Sequence, residues 1–167
     1  MTDADRATLD RILHDYGGLA HRLATSYEAD RDAARDLTQE ILVAVWRAWP
    51  AFRRQCSERT YVARIAHHRI ATHVARAVRQ PLQAELSDDI PSNEPTPEEQ
   101  AMRHDLRARL LALVRTLPVA YREVALLMLE DFTPAEVADT LGISANAVAI
   151  RGTRAREMLR ALLEQRA

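Results

Sequence analysis

TPAEVADTLGISANAVAIRGTRAREML, residues Thr133 to Leu159, reads as two helices joined by a tight turn. Thr133 caps the first helix, Pro134 suits its first turn, and Glu136 stands where a capping box places an acid. Val137, Ala138 and Leu141 recur at the spacing of one buried face. Gly142 ends that helix, because glycine enters the left-handed backbone of a sharp exit without a Cβ penalty. Ile143 is an apolar bridge and Ser144 caps the second helix. Val148 faces inward, while Arg151, Arg154 and Arg156 line a basic side. Two helices about a glycine turn, the second carrying arginines, form the pattern of a helix-turn-helix whose second helix enters the DNA major groove.

Upstream of it, Val119 to Asp131 predicts a helix with Val124, Leu127 and Met128 inside. Before that, Pro97-Glu98-Glu99 opens a helix whose apolar stripe is Met102, Leu106, Leu110, Leu113 and Leu117, ending at Pro118. The segment PLQAELSDDIPSNEPTP, residues 81–97, holds four of the seven prolines and little periodicity, so it predicts a linker. Tyr61 to Arg79 is a further helix, with Val62, Ile65, Ala66, Ile70 and Val74 inside. Residues 51–60, AFRRQCSERT, form a polar basic loop ahead of it. Asp30 to Trp49 buries Ala34, Leu37, Ile41, Val45 and Trp46 and turns Asp36, Gln39, Glu40 and Arg47 outward; Pro50 ends it. The first helix carries Leu9, Ile12, Leu13, Tyr16, Ala20 and Leu23, with Gly17-Gly18 as an expected interruption. The expected fold is all-α: two small helical bundles joined by a flexible linker, the C-terminal one containing the helix-turn-helix. The expected boundaries are 1–79, 80–97 and 98–167.

Charge is segregated. The chain has 167 residues, net charge −1 and no lysine, so all 23 basic residues are arginine. Residues 51–80 carry seven arginines against Glu58, residues 81–105 seven acids against Arg103, and residues 144–167 five arginines against Glu157 and Glu164. Two basic blocks therefore flank an acidic spacer, and the distribution points to nucleic acid where the sum does not. The basic helix and loop can follow a phosphate backbone, and Phe52, Tyr61 and the histidines can stack on unpaired bases. Cys56 is the single cysteine, so no internal disulfide forms and a reducing cytoplasm fits. No apolar run reaches membrane-spanning length, and the N-terminus lacks a signal-peptide core.

These segments, in this order, resemble a bacterial sigma factor of the extracytoplasmic-function type over nearly the whole chain. Asp36-Leu37-Thr38-Gln39-Glu40, running on to Arg47, resembles the family's DLxQE segment. The resemblance implies docking of Asp36, Gln39, Glu40 and Arg47 on RNA polymerase core, at the clamp helices of the beta-prime subunit; the beta subunit is a further expected contact. Phe52-Arg53 to Ile65-Ala66 resembles the segment that melts the −10 promoter element and captures flipped bases. Phe52, Arg53, Arg59, Tyr61, Arg64, His67, His68 and Arg76 are the expected contacts there. Leu117-Pro118, Arg122 and the helix-turn-helix resemble the domain that reads the −35 element, with Ser144, Asn146, Ala149, Ile150, Arg151, Thr153 and Arg154 toward DNA.

The departures are local. The family often has Trp at Tyr61, Asn at His68, Asp at Thr72 and Phe at Glu58, so the −10 preference is expected to differ. Ala149, Ile150 and Thr153 stand where polar base-contacting residues are usual. Ala and Thr can meet a thymine methyl and Asn146 an adenine, so a non-standard −35 element is expected, with arginines on phosphates. The resemblance also implies an anti-sigma partner and a linker that threads the polymerase's RNA exit channel.

No catalytic constellation, cofactor loop or metal-ligand spacing is present, so binding without covalent chemistry is expected. His67, His68 and His73 with Asp36 or Glu40 lack the paired Glu-x-x-His spacing of a di-metal bundle. The alternative is a helix-turn-helix regulator acting without polymerase core, which would need a dimer or an effector domain.

Overall fold

The computed structural model describes residues 3–79 and 97–165. Among them lie seven α-helices: α1 (Asp3–Thr25), α2 (Arg31–Ala48), α3 (Glu58–Arg79), α4 (Pro97–Thr116), α5 (Val119–Leu129), α6 (Pro134–Leu141) and α7 (Ala145–Glu164). A 3-10 turn, Trp49–Ala51, follows α2, and no strand occurs among the described residues. The fold is all-α, in two small bundles. Helices α1 to α3 pack on one another; α5 to α7 do the same, with α4 against α5 and α7. Residues 80–96 of the expected linker lie outside the described residues; Pro97 opens α4.

The start signals act as read. Thr133 and Glu136 form a full capping box, with the Thr133 N–H donating to the Glu136 carboxylate at 2.9 Å. That bond holds the Glu136 carboxyl below the usual carboxylate range. Gly142 has φ +65°, and its N–H donates to the Ala138 carbonyl. The Ser144 hydroxyl accepts from the Ala147 N–H at 3.0 Å, and the Asp30 carboxylate accepts from the Ala33 N–H at 2.8 Å. Each cap satisfies a donor that the first helical turn leaves without a partner.

Four expectations are corrected. Helix α1 runs unbroken through Gly17-Gly18, because Leu19, Ala20, Leu23 and Ala24 on its far side are buried in the bundle. Leu13 is 45% exposed, since the buried stripe runs through Ile12, Leu19, Ala20 and Leu23 and leaves it on the flank. Helix α3 begins one turn early, at Glu58, because the Ser57 hydroxyl accepts from the Thr60 N–H at 3.0 Å. Leu106 is 68% exposed, and the apolar anchors of α4 are Leu113 and Val114 on its last turns, with Leu117 just beyond.

The bundles are also closer than a tether requires. One core runs from Ile12, Leu37, Ile41, Val62 and Ile70 into Val124, Leu127, Phe132, Val137 and Val148. Helix α3 packs against α1 and α2 on one side and α6 on the other. Arg115 donates to the Thr25 carbonyl at 2.7 Å, closing the junction from α4. The Arg122 guanidinium donates to the Leu117 carbonyl at 3.0 Å and lies over the Tyr27 ring at 5.4 Å. Burial pushes the Tyr27 hydroxyl well above its ordinary range.

Candidate nucleic-acid interface

Three surfaces carry the expected site residues. The first is the outer face of α2. Asp36, Gln39, Glu40 and Arg47 are all exposed, while Leu37, Ile41 and Val45 are buried behind them. The spacing of three, four and seven puts the four on one stripe. Val43 lies on that stripe as well and is 43% exposed. Sequence reasoning passed over it. Its signal was an apolar residue three after Glu40 and seven after Asp36, at a position where this face is otherwise polar. The stripe thus offers acids at one end, an apolar spot, and a cation at the other.

The second surface is the loop before α3 and the helix itself. Arg53, His68 and Arg76 are exposed. Phe52 and Tyr61 are half-buried and stack on each other, with ring centroids 4.6 Å apart. Trp49 joins them at 5.6 Å from Phe52. The Tyr61 hydroxyl donates to the Ala48 carbonyl at 2.9 Å, so Tyr61 ties α3 to the end of α2. Arg11 from α1 lies over Trp49 at 5.0 Å and meets Glu58 at 3.1 Å. Tyr16 donates to Glu58 at 2.7 Å. The Tyr16 hydrogen bond first, then Arg11, holds the Glu58 carboxyl below the usual range. Burial first, then Glu58, pushes the Tyr16 hydroxyl up to about 12. Glu58 is therefore the fixed point of an aromatic and cationic cluster at the head of α3. Residue type alone gave no signal for it, because its partners come from α1, more than forty residues upstream.

Arg59, Arg64 and His67 face the second bundle. Arg64 lies 2.8 Å from the Asp139 carboxylate, and His67 lies 3.6 Å from Glu123. Arg59 donates to the Glu130 carbonyl and lies over the Phe132 ring at 4.3 Å.

The third surface is α7. Asn146, Ala149, Ile150, Thr153 and Arg154 are exposed on one side, Arg151 is half-buried, and Ser144 is exposed at the cap. Ile150 is 55% exposed, an apolar side chain in a shallow groove with Ala149, Thr153, Arg154 and Glu157. Arg154 meets Glu157 at 3.1 Å, a solvent-exposed pair that a phosphate can displace. On the inner side, Val148, Gly152 and Ala155 are buried. A Cβ at Gly152 would lie 3.1 Å from the Met128 sulfur, so the Met128 side chain of α5 packs into the space this glycine leaves on α7. A helix held by its inner face with an open polar and apolar outer face is suited to a groove.

Residues 12–80 match the family model Sigma-70 region 2, and residues 107–159 match Sigma-70, region 4. The chain is 33% identical over 167 residues to the ECF RNA polymerase sigma factor ShbA of Streptomyces griseus, covering 91% of this chain and 87% of ShbA. It is 30% identical over 156 residues to the ECF RNA polymerase sigma factor SigE of Mycolicibacterium smegmatis, covering 90% of this chain but only 60% of SigE. Among solved structures, the sigma factor RpoE, in complex with the anti-sigma factor NepR from Bartonella quintana, superposes with a TM-score of 0.74. The match covers 93% of this chain and 96% of that one at 19% identity. Taken with the two family models in their order along the chain, these likenesses place the protein in a family: it belongs to the extracytoplasmic-function sigma factors of RNA polymerase.

Proposed function

We propose that this alternative sigma factor docks on RNA polymerase core through the α2 stripe and directs promoter-specific initiation through α3 and α7. The observation that carries the docking assignment is the exposure of Asp36, Gln39, Glu40 and Arg47 on a helix whose opposite face is core. Docking fixes the first bundle on the enzyme. The exposed face of α7 then reads the −35 element, with Asn146, Ala149, Ile150 and Thr153 at base edges and Arg151 and Arg154 on phosphates. Ser144 adds a hydroxyl at the helix N-terminus, where anions are favoured.

At the −10 element, Arg53, Arg59, Arg64, His67, His68 and Arg76 hold the strand. Binding of extruded bases offsets the unpairing cost, about a few kcal/mol per base. Phe52 receives a base by parting from Tyr61. Two linked grips on one promoter raise avidity through effective concentration. The bundles at 1–79 and 98–167 thus divide the work, and the protein acts in the cytoplasm, where polymerase is. An anti-sigma protein that covers these surfaces is a further partner, a reading supported by the RpoE relative bound to NepR. No helix among the described residues is long and apolar enough to cross a membrane.

The test is co-elution of the purified chain with core polymerase on a sizing column. A stable complex is expected. Protein that never co-elutes, yet binds duplex DNA, favours a regulator that works without polymerase.

A further inference from the structure

The chain has two tryptophans, Trp46 and Trp49, and both line one groove. It runs between the start of α1 and the end of α2, holds about 440 Å³, and is completed by Asp5, Thr8, Arg47 and Pro50. Small-ligand sites occupy about 300–1,000 Å³. Of these six residues only Arg47 belongs to a surface already assigned, as the last member of the α2 stripe.

The two walls differ in hydrogen-bonding character. The α2 wall holds the indole N–H groups of Trp46 and Trp49 and the Arg47 guanidinium, which donate and cannot accept. None of these groups has a hydrogen-bond or ion-pair partner among the described residues. The α1 wall accepts. Asp5 brings a carboxylate, and the Thr8 hydroxyl gives its proton to the Ala4 carbonyl at 2.9 Å, which leaves its oxygen free to accept. Both indoles are half-buried, so part of each ring remains as a flat apolar face.

A ligand that satisfies both walls is flat, with an anion at one end and an amine at the other. An unstacked nucleotide has that outline. Its base lies on the indoles, as bases lie on aromatic platforms in single-strand binding proteins. Its exocyclic amine donates to Thr8 and Asp5, and its phosphate accepts from Arg47. Asp5 repels the phosphate from the α1 wall and so fixes which end goes where. Adenine carries such an amine and thymine does not. The groove also adjoins the −10 cluster, because the Trp49 ring lies 5.6 Å from Phe52 and 6.4 Å from Tyr61.

We infer that this groove is a second single-nucleotide site, selective for a base with an exocyclic amine. Such a nucleotide comes from the promoter strand, next to the base received at Phe52, or from free nucleotide in solution; the recognition chemistry is shared. The strand as source rests on the proposal that Phe52 and α3 hold the melted −10 element. The groove's own chemistry does not.

Because both tryptophans line the groove, intrinsic fluorescence of the full-length protein reads it directly. The protein is titrated with deoxyadenosine monophosphate, deoxythymidine monophosphate, a short single-stranded oligodeoxyadenylate and inorganic phosphate. Saturable quenching is expected with both adenine ligands, weaker binding with the thymine nucleotide, and no response to phosphate. Arg47→Gln, at an exposed position, should raise the adenine midpoint about tenfold, as loss of one charge-assisted hydrogen bond does. Thr8→Val should bring adenine down toward thymine and leave thymine binding as it was. An oligonucleotide midpoint at least about tenfold below that of the mononucleotide assigns the strand as source; equal midpoints assign free nucleotide. No quenching by any nucleotide, equal quenching by adenine, thymine and phosphate, or a response that Arg47→Gln leaves unchanged would overturn the inference. Quenching by core polymerase alone would also overturn it and give the groove to the docking face. Failure of the −10 reading shows separately: Phe52→Leu would then open promoters in the holoenzyme as well as wild type does, with adenine quenching intact.

Discussion

The Arg64 guanidinium and the Asp139 carboxylate, 2.8 Å apart, bind a helix of the first bundle to the entry helix of the helix-turn-helix. Both side chains are partly exposed, at 38% and 49%, so solvent screens the pair. Its coupling is expected to be about 0.2–1 kcal/mol. A double-mutant cycle in urea, using Arg64→Ala and Asp139→Ala, measures it. The swapped variant Arg64→Asp, Asp139→Arg should regain most of the lost stability. It should not regain promoter opening, because an acid then faces the strand.

Glu58 predicts a pH effect with a fixed sign. Its carboxyl titrates lower in the folded chain than when unfolded, because Tyr16 and Arg11 favour the anion. Its contribution is therefore complete above the unfolded carboxylate range and is lost as pH falls through the lowered folded value. Wild type should be more stable than Glu58→Gln at neutral pH, and the gap should close in acid. Urea denaturation of both proteins from neutral pH downward checks this; a gap that widens in acid contradicts the Arg11–Glu58–Tyr16 cluster.

The turn of the helix-turn-helix gives a stability prediction. Gly142 sits at φ +65°, so Gly142→Ala should destabilise the chain by about 1–2 kcal/mol. Thr133→Ala removes the other end of the short α6 and should cost about 1 kcal/mol. Thermal melts read both. Gly142→Asn should lie nearer wild type, since asparagine tolerates the left-handed region.

The outer face of α7 separates two kinds of contact. Asn146→Ala should relax preference at one base pair by about 1–3 kcal/mol. Arg154→Ala should weaken binding on all sequences alike and lower the salt slope by about one. Holoenzyme binding to promoter duplexes at several salt concentrations distinguishes the two patterns. An Arg154→Ala protein that loses preference at a single base pair would reverse the assignment.

Local chemistry was legible where it acts through chain neighbours. The capping box at Thr133, the exit at Gly142 and the cap at Ser144 all follow from residue type and spacing within a few positions. The α2 stripe was legible for the same reason, except for the exposed Val43, which the pattern of polar residues passes over. What stayed hidden depends on partners distant in sequence. Gly17-Gly18 is held helical by burial of the residues that follow it against another helix. Glu58 takes its meaning from Arg11 and Tyr16. Arg59, Arg64 and His67 look like free polar side chains in the sequence, yet their partners lie more than fifty residues downstream. Periodicity tells which side of a helix is apolar, but it does not tell that α3 is covered on two sides.

The most direct measurement is run-off transcription by core polymerase on the region upstream of the protein's own coding sequence, comparing wild type with Asp36→Ala, Glu40→Ala. Both residues are exposed, so the variant should fold normally while its docking weakens. The account predicts a discrete transcript with wild type and at least about a tenfold loss with the variant, the size expected when two charged contacts at an interface are removed. A variant that transcribes as well as wild type would contradict the claim that this stripe of α2 joins the protein to polymerase.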